Sequence, residues 1–94
     1  MPTEIKQIDD HDRRVTILRV GGEMSKTDAE FVARLARRTH YQEDYSIVID
    51  LADIDLIDSD AAHILRHAAD EHYVTLEGVE SMLQTAVDQA EGRA

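Results

Sequence analysis

The 94-residue sequence contains no cysteine. Without it there is no disulfide scaffold, no thiolate nucleophile and no Cys-based zinc site. Basic residues are scarce: ten Lys and Arg stand against twenty Asp and Glu, for a formal net charge of -10. DNA, RNA and anionic membranes each need a basic footprint, so no nucleic-acid partner and no membrane partner is expected. A partner with a basic patch suits the charge better. Long apolar runs are missing too, and nothing approaches the roughly 20 residues that span a bilayer. The opening MPTEIKQIDD has neither the basic nor the apolar region of a signal peptide. The glycine-based signatures are also absent: there is no GxGxxG, GxxxxGK[ST] or GxSxG. These absences describe a small acidic chain expected in the cytoplasm, with one modest core and no room for a deep substrate cavity.

The hydrophobic pattern divides what is present into short elements. Residues 4–8 alternate weakly, and 15–20 (VTILRV) form a β-branched run, so the two read as a hairpin. Gly21-Gly22 is expected to end it. Thr27-Asp28-Ala29-Glu30 matches a capping box, and Ala29, Phe31, Val32, Leu35 and Ala36 give an apolar stripe, which predicts a helix over 27–39. Arg34, Arg37 and Arg38 lie in its second half, where cations suit the helix dipole. Residues 46–51 (SIVIDL) read as a buried central strand, with 52–58 looping off its end. A second helix starts at Ser59, with Ala61, Ile64, Leu65 and Ala68 on one face and His63, Arg66, His67 and Asp70 on the other. Residues 73–76 form a short strand stopped at Gly78. The stripe Val79, Met82, Leu83, Ala86, Val87 and Ala90 predicts a last helix. The order ββαβαβα implies a mixed β-sheet with parallel crossovers, an α/β fold in a single domain over 1–94 with 93–94 frayed.

The densest chemical feature is acidic: Asp50, Asp53, Asp55, Asp58 and Asp60 within eleven positions. A calcium loop needs D-x-[DN]-x-[DN]-G, yet Ile54, Leu56 and Ile57 interleave here and no glycine lies from 51 to 77. His63 and His67, four apart, offer two zinc ligands without a third, and a solvated, partner-contacting role explains them better. No catalytic set, metal site or cofactor is therefore expected. Ser59 is more informative. As an N-cap, its oxygen would bond an amide two or three residues on. The same position suits a phosphate, which the free amides and positive end of the helix would accommodate while Asp58 and Asp60 repel it. The two roles are compatible.

Three pieces of the chain resemble the STAS domain, the family of sulfate transporters and anti-sigma-factor antagonists. They are VTILRVGGEM, with Gly22-Glu23 before the first helix; SIVIDLADIDLIDS, with Asp58-Ser59 opening the second; and YVTLEGV before the last. The resemblance implies a STAS-like fold with helices packed on one face of the sheet. In the anti-sigma antagonist branch, the serine after that Asp is phosphorylated by an anti-sigma serine kinase, and a phosphatase can reverse it. Carried over, the phosphorylated residue is Ser59, with Asp55, Asp58, Asp60, His63 and His67 as the partner-binding surface. The implied function is partner switching, without enzymatic turnover by this chain. Asp60 and Ala61 stand where the family commonly has Ser, Thr or Ala followed by Gly. The short ending after VTLEGV is similar to a second branch, in which STAS subunits of bacterial ABC transporters bind their ATPase without phosphorylation.

Overall fold

The computed structural model describes residues 3–78. Strand β1 (Glu4–Asp10) and strand β2 (Val15–Met24) form the expected hairpin. Helix α1 (Lys26–Glu43), strand β3 (Ser46–Ile57), helix α2 (Ser59–Ala68) and strand β4 (Val74–Glu77) follow. The expected helix after Gly78 lies outside the described residues. The sheet order is β1-β2-β3-β4, antiparallel at the hairpin and parallel thereafter. This is the mixed sheet of the predicted α/β fold. Both crossovers step in the same direction across the sheet, and crossovers of one hand then put both helices on one face.

Between the helices and the sheet lies the core. Leu18, Val20 and Met24 of β2, Ile47, Ile49 and Leu51 of β3, and Leu65 of α2 are each no more than 2% exposed. Full burial of such a side chain contributes about 1.5–3 kcal/mol. Ala29, Val32 and Ala36 supply the buried stripe of α1. The opposite face of the sheet is more open, with Ile8 exposed and Arg19 paired to Asp50 at 3.4 Å.

Two boundaries differ from the expectation, for one shared reason. The Gly21-Gly22 pair does not end β2, and residues 52–57 are not a loop. Both strands continue, and β3 carries two extra residues relative to β2, between Arg19/Gly21 and between Gly22/Glu23. An extra residue shifts the inward-facing positions from every second to every third. Leu51, Ile54 and Ile57 are buried as a result, while Ala52, Asp53, Asp55 and Leu56 face out. The irregular alternation that suggested a loop is a bulged strand. Glycine permits it: Gly22 has φ 83°, and a Cβ on Gly21 would sit 3.3 Å from Asp53 Cβ.

Helix α1 is longer than expected at both ends. Its N-cap is Ser25 rather than Thr27, and the reciprocal capping box uses Asp28. At the other end Thr39 is buried, His40 stacks on Tyr73 at 3.8 Å, and Asp44 closes the helix in the left-handed region with φ 58°. Those tertiary contacts extend the helix past the apolar stripe that the sequence displays.

Candidate functional site

The C-terminal ends of β2 and β3 deliver the chain to the two helix N-termini side by side. Met24 pairs with Ile57 across the ladder, and Asp58 N–H donates to the Met24 carbonyl at 3.0 Å. This fixes the point where α2 begins. Ile57 is buried at the end of β3, so the next three residues, Asp58, Ser59 and Asp60, turn outward together and all are exposed.

Asp58, not Ser59, is the N-cap. Its Oδ1 accepts from Asp60 N–H at 3.1 Å, and its carbonyl accepts from Ala62 N–H at 3.0 Å. The expected capping role of Ser59 is therefore taken by its neighbour. Asp is as good a cap as Ser, and the register set by buried Ile57 and Ala61 puts Asp58 in the capping position. Ser59 becomes the first helical residue, and among the described residues its hydroxyl makes no hydrogen bond. The oxygen is thus both accessible and unengaged.

The sequence-predicted surface residues fall around it. Asp55 is exposed near the end of β3. Ser59, His63 and His67 recur every four residues on α2 and so form one stripe, and both histidines are exposed. Two turns of helix make that stripe about 12 Å long. His67 Nδ1 lies 3.5 Å from Asp70 Oδ2, and the His67 side chain also borders an open groove of about 210 Å³ between α1 and α2. Asp55, Asp58, Ser59, Asp60, His63 and His67 thus share the exposed surface at the end of β3 and along α2. Among the described residues no three His, Asp or Glu side chains converge as a metal-ligand set. None of the described helices is long and apolar enough to cross a membrane.

The N-terminus of α1, in contrast, is closed by side chains. Asp28 Oδ2 accepts from Ser25 N–H at 3.0 Å, from Ser25 Oγ at 2.9 Å and from the Thr3 hydroxyl at 2.6 Å. The Thr3 hydroxyl, followed by the Ser25 amide, holds the Asp28 carboxyl below the usual carboxylate range. The sequence reading missed this cluster. Its signal was the Ser25-x-x-Asp28 spacing, which competed with Thr27-x-x-Glu30; Thr3, more than twenty residues away, had no local signal.

This arrangement of the described residues, a four-stranded mixed sheet with two helices on one face and an acidic, serine-bearing helix mouth at the ends of the strands, is that of a small α/β domain. The STAS domain family model matches residues 4–89, and the chain belongs to that family. Several solved structures share the fold, two of them anti-sigma-factor antagonists. One is an antisigma-factor antagonist STAS domain from Rhodobacter sphaeroides, with TM-score 0.67 and 19% identity, covering 88% of this chain and 94% of that one. The other is the anti-sigma factor antagonist SpoIIAA in its unphosphorylated form, with TM-score 0.61 and 13% identity, covering 97% of this chain and 99% of that one. No curated protein sequence matches this chain.

Proposed function

We propose that this STAS protein is an anti-sigma-factor antagonist that works by partner switching. Its unphosphorylated form binds an anti-sigma factor with serine-kinase activity, and phosphorylation of Ser59 releases it. Asp55, Asp58, Asp60, His63 and His67 form the docking surface around that serine. The protein acts by binding rather than by turning over a substrate, and a phosphatase resets it in the cytoplasm.

The observation that carries this reading is the state of Ser59: exposed, at the first position of α2, with Asp58 taking over the cap and the hydroxyl left unbonded. Phosphorylation would add about -1.5 to -2 charge there, at the centre of a surface that already holds three carboxylates. The first-turn amides of α2 can accommodate the phosphate. A partner that accepts the acidic surface would then meet a bulky dianion, which is a sufficient physical cause for release. Asp60 next to Ser59 raises the local negative charge before modification, so the cognate kinase must tolerate an acidic residue there.

Incubation with the cognate anti-sigma kinase and ATP tests the proposal. One phosphate is expected on Ser59, none on Ser59→Ala, and Ser59→Asp should bind the kinase at least about tenfold more weakly, an energy difference of about 1.4 kcal/mol. Constitutive binding to an ABC-transporter ATPase, with no phosphorylated form recovered from cells, would replace this reading with the transporter-subunit one.

A further inference from the structure

Four large apolar side chains are exposed among the described residues: Ile8, Phe31, Tyr41 and Leu56. Three of them lie in two patches of opposite charge. Phe31, 48% exposed, and Tyr41, 76% exposed, flank an open groove of about 610 Å³ on the outer side of α1, lined also by Arg34, Leu35, Arg37 and Arg38. That groove gathers three of the chain's ten Lys and Arg within five positions, in a protein of net charge -10. None of the three arginines is in an ion pair among the described residues. Cations in the last half of a helix suit its dipole, but the dipole does not explain bulky aromatic side chains left in water on either side of them.

Leu56, 46% exposed, stands in the opposite setting. The bulges of β3 turn it outward together with Asp53 and Asp55, and Asp58 and Asp60 follow, so a bulky apolar side chain projects from a row of exposed carboxylates. The two patches match in charge, and each offers the apolar element that the other can cover. We infer that the α1 groove is a docking site for a second copy of this chain, which inserts Leu56 between Phe31 and Tyr41 and sets its Asp53 and Asp55 carboxylates against Arg34 and Arg38. Each copy uses its groove for one neighbour and its acidic segment for another, so the contact is heterologous and the assembly grows head to tail. Long-range repulsion between two acidic molecules opposes it, but at physiological salt that repulsion is screened beyond about 8 Å, and the contacting patches decide the outcome. This inference stands apart from the proposed function, because it requires neither a kinase nor a modified serine.

Sedimentation equilibrium of the full chain, at protein concentrations up to about 1 mM, tests it. Self-association is expected, weakened at least about tenfold between roughly 0.05 and 0.5 M NaCl. Arg34→Glu with Arg38→Glu blocks the groove, and Leu56→Ser blocks the segment, so each variant alone should be monomeric. Mixed together they should recover a 1:1 dimer that grows no further, since one retains the segment and the other the groove. All three positions are exposed, and unchanged circular dichroism verifies that the variants fold; Tyr41→Ala, which alters no charge, gives a second groove variant if the double one does not. Ser59→Asp separates the two proposals, because added negative charge beside the inserted segment should preserve or tighten self-association while weakening kinase binding. A wild-type chain that stays monomeric throughout, association that persists in both blocking variants, or a mixture that does not dimerise would each overturn the inference.

Discussion

The two helix N-termini lie next to each other at the ends of β2 and β3, yet they are built in opposite ways. At α1 the carboxylate of Asp28 collects the Ser25 amide, the Ser25 hydroxyl and the Thr3 hydroxyl, and the first turn is tied to the strand before it. At α2 one aspartate, Asp58, caps the helix, and the hydroxyl of the serine beside it makes no hydrogen bond among the described residues. Both satisfy the requirement that a helix start be capped. At α1 the hydroxyl of the capping serine, Ser25, is engaged by Asp28, whereas at α2 the Ser59 hydroxyl is exposed and unbonded among the described residues. The difference teaches that the serine at the α1 mouth serves the fold, whereas at α2 the neighbouring aspartate performs the structural task and leaves the serine hydroxyl without one.

The contrast can be broken by substitution. The largest effect is expected beneath the α1 mouth, where Met24 is 2% exposed: Met24→Ala should cost about 2–5 kcal/mol in urea denaturation, by loss of burial and creation of a cavity. Next come the caps themselves. Asp28→Ala and Asp58→Ala should each cost about 1 kcal/mol, and Asp28→Ala should be the worse, since it also strands Thr3 and Ser25.

A pH titration sharpens the comparison further. Because the Asp28 pKa is depressed in the fold, its contribution is complete above the ordinary carboxylate value, near about 4, and is lost as pH falls through the lower folded value. Thermal unfolding at successive pH values should show wild type and Asp28→Asn converging below about pH 4 and separated above it. The smallest effect belongs to Ser59. Ser59→Ala should change stability by less than about 0.5 kcal/mol in the same denaturation assay, as an exposed residue without partners does. A loss comparable to that of the Asp58 variant would show that Ser59 shares the capping role.

Much of the candidate site was legible from local pattern. The start of α2 at Ser59, its buried positions Ala61 and Leu65, and the exposed stripe of His63 and His67 follow from helical periodicity, which needs no knowledge of distant residues. The strand cores around Leu18 and Ile49 were visible for the same reason. What was not legible depended on pairing. The continuation of β3 through Asp53, Asp55 and Leu56 rests on bulges against Gly21 and Gly22, and a bulge replaces the two-residue period by which strands are recognised. The cap at Ser25 was hidden because two capping-box spacings overlap, and β2, by running on to Met24, selects between them.

The sequence by itself determined the order of the described elements, the acidic character and the place of Ser59 at the head of a helix, because periodicity, charge and capping preference act over a few neighbouring residues. Only the tertiary structure decided that Asp58 and not Ser59 would cap that helix. It also decided that Leu56 would emerge among carboxylates and that Thr3 would reach Asp28. Those outcomes depend on the register in which β2 meets β3, and register is set by burying side chains that lie thirty residues apart in the chain.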